Sequence, residues 1–152
     1  MGLDSSIYRK EHGAGDGVEV AYWRKANAIH RFFIELNGGK DYHEDIPIEE
    51  KDLRELLRRC KEIKAQARLV NGKVVDYYTI ENGGQKAHYV DGQIIDNPAI
   101  CEELLPTQSG FFFGKTDYDE DYMYSIDKTI EQLEEILADH KDDDEYYYYG
   151  SW

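Results

Sequence analysis

The sequence is short of cysteine, of long apolar runs and, in its second half, of positive charge, and each shortage excludes a class of protein. Its two cysteines, Cys60 and Cys101, lack the close spacing of a zinc or redox motif, so we expect buried free thiols. No apolar run approaches the roughly 18 residues that a membrane-spanning helix needs. The first residues do not follow the pattern of a signal peptide. We therefore expect a cytosolic protein.

The shortage of positive charge is confined to the second half of the chain. Residues 1–68 hold 13 acidic and 13 basic side chains, whereas residues 69–152 hold 19 acidic and 5 basic ones. The whole net charge of −14 therefore lies in the second half. Such a surface repels nucleic acid and anionic membranes and favours basic protein partners. The balanced first half can still present local cations to a small anion.

Length and patterning indicate one α+β domain over residues 1–152. We predict a mostly antiparallel sheet that contains an N-terminal strand at Met1–Arg9, a strand at Phe111–Phe113 and a Tyr-rich strand at the C-terminus. Three main helices cover this sheet, and a short helix opens at Asn97-Pro98. The second helix begins near Pro47 and ends near Ala67. The last helix spans about Asp119–His140.

Glycine-containing turns interrupt the middle of the chain. Asn71-Gly72, Asn82-Gly83-Gly84 and Asp91-Gly92 are three hairpin signals, and they predict a β-meander that projects as an arm over about 68–96. The Gly13–Gly17 stretch resembles a phosphate-cradling turn only weakly, because it lacks the Lys-Ser/Thr of a P-loop. We interpret it as a flexible connection.

The stretch Glu19–Leu36 organises the first half, and we predict it to be one helix. One face carries an apolar stripe at helical spacing: Tyr22, Ala26, Ile29, Phe33 and Leu36. A neighbouring stripe carries Trp23, Asn27, His30 and Ile34, flanked by Arg24, Lys25 and Arg31. The first interpretation is a core helix with a packed Trp and a hydrogen-bonded His. The second is a helix that lines a pocket with an aromatic plate, an amide, an imidazole and cations.

Several motifs together resemble a family of small proteins encoded mainly by bacteriophages. They are MGLD at 1–4, VAYWRKANAIH at 20–30, ELLPTQSGFFFG at 103–114, Tyr118-Asp-Glu with Tyr122, and the Tyr-rich end that closes on Gly-Ser-Trp at 150–152. These motifs cover about half of the chain, and the 68–96 arm has no counterpart among them. The family has no settled activity. The resemblance implies a viral protein in the bacterial cytoplasm, where small phage proteins often counter host defence.

The first functional hypothesis is a module that binds and sequesters a small nucleotide-like molecule, such as an immune signal. Trp23 is the residue for stacking on a base, and Arg24, Lys25 and Arg31 are candidates for phosphate. We assign polar recognition to Asn27, His30, Thr107, Gln108 and Ser109. Tyr118 and Tyr122 are expected to close the site. A binding module of this kind needs no metal or cofactor, and we expect it to form a homo-oligomer.

Two other hypotheses stay open. An acidic inhibitor would use the Asp-, Glu- and Tyr-rich C-terminal region to occupy a basic groove of a host nucleic-acid-binding or defence protein. An enzyme would pair His30 with a carboxylate as acid and base. His43-Glu44-Asp45 is a possible metal contact, although the five histidines (His12, His30, His43, His88 and His140) show none of the spacings typical of zinc enzymes. We rank the enzyme below the binding module.

Overall fold

Six strands and four helices follow one another in the computed structural model, which describes residues 2–11, 15–41 and 43–152. This arrangement confirms the predicted α+β class with antiparallel sheets. His12 and part of the Gly13–Gly17 connection lie outside the described residues, as does Met1 at the start of the predicted first strand. The elements are β1 (Asp4–Lys10), β2 (Val18–Arg24), α1 (Asn27–Leu36), β3 (Ile46–Ile48), α2 (Glu50–Gln66), β4 (Leu69–Glu81), β5 (Gly84–Ile95), α3 (Pro98–Leu104), α4 (Glu120–Ala138) and β6 (Glu145–Ser151).

The main sheet has the strand order β2-β1-β6-β3, and every neighbouring pair is antiparallel. The predicted N-terminal and C-terminal strands are both confirmed, and they pair with each other from Asp4↔Ser151 to Lys10↔Glu145. Alternation along β6 gives each tyrosine its environment. Tyr146 and Tyr148 are buried, whereas Tyr147 and Tyr149 are half-buried on the other face.

The core lies between this sheet and three helices. Phe33 of α1 stacks on Tyr148 of β6, with ring centroids 4.2 Å apart and planes at 19°. Helices α2 and α4 pack beside each other, and their apolar faces carry Leu56 and Leu133, both fully buried. Both cysteines are free and buried, as expected. Burial raises the pKa of Cys60 to about 12, so its thiol stays protonated. None of the helices in the described ranges is long and apolar enough to cross a membrane.

The prediction of one helix over Glu19–Leu36 is wrong for its first part. Val18–Arg24 is a strand, and the helix begins only at Asn27. Burial along the strand alternates, with Ala21 and Trp23 inside. This period of two, together with β-branched and aromatic side chains, favours a strand. The four-residue spacing of Tyr22 and Ala26, and of Trp23 and Asn27, also fits a helix, and the prediction followed that spacing. Lys25 then takes a left-handed conformation with φ 54°, which no helix can pass through.

The predicted meander is one long hairpin. Only Asn82-Gly83 turns the chain, with φ of 50° and 81°, as a two-residue type I′ turn requires. Gly72 and Gly92, from the other two signals, lie directly opposite each other inside the β4–β5 ladder. A Cβ at either position would come within 2.7 Å of a neighbouring side chain, so the glycines leave room for Ile94 and Val74 to fold across the ladder.

The predicted strand at Phe111–Phe113 is also wrong. The segment is a turn in which Phe111 is almost fully exposed and only Phe113 is buried. Its one ladder-like contact runs from the Leu3 N–H to the Phe112 carbonyl, at 2.8 Å. Pro47 likewise lies in β3, and α2 begins three residues later. The apolar triplet was taken for a strand because its period is ambiguous over so short a run.

Candidate functional site

A cleft of about 390 Å³ opens between the start of α1, the 107–117 loop and the start of α4. Ala26 to Ile29 form the helix side of the cleft, and Tyr122 to Ile126 form the opposite side. The full lining is Arg24, Lys25, Ala26, Asn27, Ala28, Ile29, Thr107, Gly114, Lys115, Asp117, Asp119, Asp121, Tyr122, Tyr124, Ser125 and Ile126.

Asn27 holds the loop against the helix. Its buried side-chain amide donates to the Phe113 carbonyl at 2.9 Å and to the Lys115 carbonyl at 2.8 Å. Its oxygen accepts from the Gln108 N–H at 3.1 Å. One primary amide has two donors and an acceptor, and Asn27 uses all of them on one loop. The loop has no strand or helix of its own, so this side chain determines where the cleft wall stands.

Thr107 is a second anchor of the same loop. Its carbonyl accepts from the Arg31 guanidinium at 3.0 Å, and its N–H donates to the Tyr118 hydroxyl at 3.2 Å. The Thr107 hydroxyl donates to the Thr116 carbonyl at 3.0 Å. Arg31 and Tyr118 are therefore occupied in fixing the wall from behind, and neither presents its polar end to the cleft.

Two of the three cations at the cleft are already neutralised. The Arg24 guanidinium lies 2.9 Å from the Asp4 carboxylate, and the Tyr22 hydroxyl donates to the same group, which lowers the pKa of Asp4. Lys115 contacts Asp119 at 2.7 Å and Asp121 at 2.8 Å. Burial alone would lower the pKa of Lys115, but its hydrogen bonds to the two carboxylates raise it overall. Lys115 is therefore charged and paired.

Lys25 is the exception. No carboxylate of the described residues lies within 4 Å of its ammonium group, although it stands at the mouth of an acidic wall. Its backbone is held in the left-handed region by a hydrogen bond from its N–H to the Leu3 carbonyl at 2.7 Å. Non-glycine residues seldom occupy this region, and they do so most often at functional sites. The conformation turns the chain so that Lys25 and the first turn of α1 face the same cleft.

The start of α1 adds a partial positive charge to the Lys25 side. Ala26 occupies the N-cap position and, among the described residues, no side chain caps the first turn. Uncapped N–H groups at a helix start favour an anion. The opposite end of the cleft has the reverse character, because Asp119 caps α4 and accepts from the Asp121 and Tyr122 N–H groups.

The structure brings together only part of the predicted site. Arg24, Lys25, Asn27, Thr107 and Tyr122 line the cleft. The side chain of Gln108 does not line it, and Ser109 is exposed on the outer side of the loop. Tyr122 forms part of the wall and donates to the Leu105 carbonyl at 2.7 Å, whereas Tyr118 lies behind the wall, bonded to Thr107. They do not act as a movable lid.

Trp23 does not serve as a stacking plate. It is 1% exposed, and its indole N–H donates to the Thr129 hydroxyl of α4 at 2.9 Å. As a strand residue it points into the core, on the other side of the backbone from Arg24. For Trp23 the core interpretation, and not the pocket interpretation, describes the structure.

His30 is likewise a core residue, 1% exposed, and part of a polar chain. Its Nε2 lies 3.0 Å from the Asp41 carboxylate and its Nδ1 lies 2.7 Å from the Tyr148 hydroxyl. A carboxylate only accepts, so Nε2 carries the proton and Nδ1 accepts from the tyrosine. The rings of Phe113 and Trp152 enclose the imidazole edge-on. The predicted pairing with a carboxylate exists, but the described residues leave no open face on His30 for a substrate.

Sequence reasoning missed half of the cleft. From the sequence, Asp117, Asp119 and Asp121 are predicted only as the start of the last helix and as part of the acidic C-terminal region, and Lys115, Tyr124 and Ser125 are not singled out. The acids before the helix indicate a capped helix start, which does not by itself predict a cleft. Among the described residues, no group of three or more His, Cys, Asp or Glu side chains has metal-binding geometry, and His43-Glu44-Asp45 is not part of one.

We predict that Asn27→Ala lowers the free energy of unfolding by about 2–4 kcal/mol. The substitution removes three hydrogen bonds, of which one is buried and two are partly buried, and it leaves two carbonyls without a donor. Urea unfolding followed by circular dichroism measures the change. Ser109→Ala, in the same loop but exposed, is the control, and we expect it to change the value by less than about 0.5 kcal/mol. Equal effects of the two variants would contradict the role of Asn27.

We predict that His30 makes the protein less stable as the pH falls below about 6.5. Burial lowers the pKa of His30, and this outweighs the opposing effect of Asp41; the neighbouring His43 adds to the lowering. As the pH falls through about 6.5, His30 becomes protonated in the unfolded chain but not yet in the folded chain. The folding stability is therefore retained above that pH and lost below it. The contribution is at most about 1.4 kcal/mol per pH unit.

Urea unfolding from pH 7.5 to 5 tests this prediction by comparison of variants. His30→Gln should flatten the pH dependence, whereas His43→Gln, at an exposed position, removes only the weakest influence on the His30 pKa and should retain most of the wild-type slope. The same slope in wild type and His30→Gln would show that other groups cause the loss.

Comparison with models of protein families, with curated proteins and with solved structures finds no match to this chain. The resemblance to a phage family therefore remains a prediction. The geometry of the cleft is the evidence that bears on function.

Proposed function

We propose that the cleft beside α1 captures a small nucleotide-like molecule that carries one anionic group, and that the protein sequesters this molecule. The observation that carries the proposal is the polarity of the cleft. The end beside α1 holds Lys25, which has no carboxylate partner among the described residues, and a helix start that none of them caps, and the end beside α4 holds carboxylates and hydroxyls. A volume of about 390 Å³ is in the range of small-molecule sites.

The anionic group belongs at the Lys25 end. Lys25 supplies a full charge, and the first turn of α1 supplies N–H groups that favour a phosphate or carboxylate. Arg24 lies beside it but is held by Asp4 in a two-bond contact at 2.9 and 3.0 Å. Lys25 is therefore the first cation to engage a ligand, and Arg24 would have to exchange partners.

The ring of the ligand belongs at the other end. Asp117, Asp121 and Ser125 offer acceptors for amino and hydroxyl donors such as those of a base or a ribose. Tyr124, 66% exposed at the rim, takes the stacking role that Trp23 cannot fill. The buried Tyr122 supplies an apolar floor.

The charge balance of the cleft sets the ligand class. Three carboxylates, Asp117, Asp119 and Asp121, face it along with three cations, of which only Lys25 is unpaired among the described residues. A triphosphate would meet like charge across the cleft. A cyclic mononucleotide, with one negative charge and several donors, matches both ends.

The setting is the one that the resemblance implies. A phage protein that withdraws a nucleotide signal needs tight, stoichiometric capture in the cytoplasm of the bacterial host and no chemistry. The buried position of His30 favours capture over catalysis, because a general acid or base has to reach the substrate. The proposed activity is counter-defence by sequestration.

We predict that a matching nucleotide raises the melting temperature of the protein. A panel of cyclic mononucleotides, cyclic dinucleotides and ADP-ribose derivatives is screened by thermal unfolding. A ligand at about 100 times its dissociation constant adds about 2.7 kcal/mol of stability. Lys25→Asn should abolish the shift without loss of fold, because asparagine tolerates the left-handed conformation and carries no charge. Lys40→Asn, with the same charge change at an exposed loop, is the control.

Two outcomes would contradict the proposal. One is the absence of a shift with every nucleotide, and the other is a shift that survives in Lys25→Asn. Recovery of the ligand unchanged after incubation separates sequestration from turnover. A chemically altered ligand would make the protein an enzyme.

The acidic inhibitor remains the second candidate, and one observation favours it. A groove between β3 and the α4–β6 connection is lined by five carboxylates: Glu49, Glu50, Asp142, Asp144 and Glu145. This surface fits a basic protein. The tyrosines cannot contribute as first expected, because Tyr146 is in the groove but buried and Tyr148 is in the core. Binding of a basic partner here would weaken steeply with salt, whereas ligand capture in the cleft would weaken less.

A further inference from the structure

The β4–β5 hairpin has one face that nothing in the described part of the chain covers. The two strands pair only with each other as a ladder, apart from one bridge between Ile94 and Asp119 at the base. A two-stranded sheet exposes both faces, and by itself it is only marginally stable in water. The hairpin is nevertheless 13 and 12 residues long on its two strands.

On one of its faces, side chains of the two strands contact one another. Tyr77 stacks on His88 with ring centroids 4.4 Å apart and planes at 7°, and Thr79 bonds the same imidazole at 2.8 Å. Nearer the base, Val74 and Ile94 fold over the paired glycines on this face. This surface, the stacked face, leaves Tyr77 53% and Val90 42% exposed, less than the large apolar side chains of the opposite face.

The opposite surface, the open face, is apolar and unpartnered. The register aligns Val75 with Tyr89, Tyr78 with Ala87 and Ile80 with Gln85 along it. Tyr78 is 58% exposed, Ile80 82% and Tyr89 61%. In the described ranges these two tyrosine rings make no ring–ring contact. Exposed apolar groups of this extent on a regular surface mark an interaction site.

We propose that the open face binds the open face of a second copy of this chain, so that the protein is a dimer through its hairpins. Residues 69–95 contain two lysines and three carboxylates, a balance of −1 in a chain of −14. The rest of the second half, residues 96–152, carries −13, so two copies meet less repulsion at the hairpin than elsewhere in the acidic half. Homodimer interfaces are also the more apolar class and are rich in tyrosine.

The contact is symmetric. A twofold axis places the same patch on both sides, so Tyr78, Ile80 and Tyr89 of each copy meet the same residues of the other. The Lys73–Asp91 pair lies on the same face nearer the base, where it forms a polar rim. Tyr78 and Ile80 lie toward the turn of the hairpin, away from the base at which Ile94 bridges Asp119 of the cleft lining, and the proposal does not depend on what the cleft binds.

Sedimentation velocity of the full chain across about 1–500 μM tests the proposal. We expect a monomer–dimer equilibrium that shifts to dimer as the salt concentration rises, because salt screens the repulsion between two acidic chains. Tyr78→Glu should raise the dissociation constant at least about tenfold, since a carboxylate would be buried in the contact. Tyr77→Glu makes the same change at the neighbouring position on the stacked face and should leave the constant within a few-fold of wild type.

Ile80→Glu serves as the second variant. Ile80 is the most exposed of the three side chains, so its replacement should not lower the stability of the folded monomer. Circular dichroism checks that the variant is folded. We expect Ile80→Glu to be monomeric as well. A wild-type protein that is monomeric throughout, or a dimer that survives Tyr78→Glu and Ile80→Glu, would overturn the proposal. A dimer that salt dissociates would also overturn it.

Discussion

The side-chain amide of Asn27 is the interaction on which the candidate site depends. It stands at the first position of α1 and bonds three backbone groups of a loop more than 80 residues away in sequence. The loop has no regular structure that would otherwise fix it, and its carbonyls would face the core without a donor. The position of Asn27 follows in turn from the left-handed turn at Lys25, which ends β2 and sets the helix at an angle. The wall of the cleft, the exposure of Lys25 and the burial of Phe113 therefore share one cause.

Charge is distributed so that the acidic second half does not cancel the site. Asp119 is used as a helix cap and, with Asp121, as a partner of Lys115, and Asp4 is used on Arg24. The remaining cation of the cleft lining, Lys25, has no carboxylate partner in the part of the chain that the structure describes. The acidic residues of α4 that face α2 are also paired, through Lys61 with Glu134 and Lys64 with Asp127.

The sequence predicted the class of fold, the long helices, the terminal strands and the buried thiols, because each rests on a strong period or a clear end signal. It misplaced Val18–Arg24 because Trp23, Asn27 and His30 have a spacing that suits a helix, while the strand alternation there covers only seven residues. It predicted turns at Asn71-Gly72 and Asp91-Gly92, where the chain continues as strand. These signals depend on neighbouring residues alone, whereas the pairing of Gly72 with Gly92 joins two strands that are distant in sequence. Five of the eleven predicted site residues line the cleft. Of the other six, Trp23 and His30 are core residues and Arg31 and Tyr118 anchor the loop. The side chains of Gln108 and Ser109 lie outside the cleft lining. Only tertiary packing decides between these environments.

Hydrogen exchange of the backbone amides in wild type and Asn27→Ala tests most directly whether this one side chain fixes the wall of the cleft. The account predicts faster exchange at Gln108, which loses its acceptor, and at Leu3, whose acceptor Phe112 belongs to the loop. Amides in the middle of α4 and in β6 should keep their wild-type protection. Equal acceleration over the whole chain would mean that Asn27 supports the fold in general, and unchanged exchange in the 107–117 loop would mean that the loop is held by other contacts.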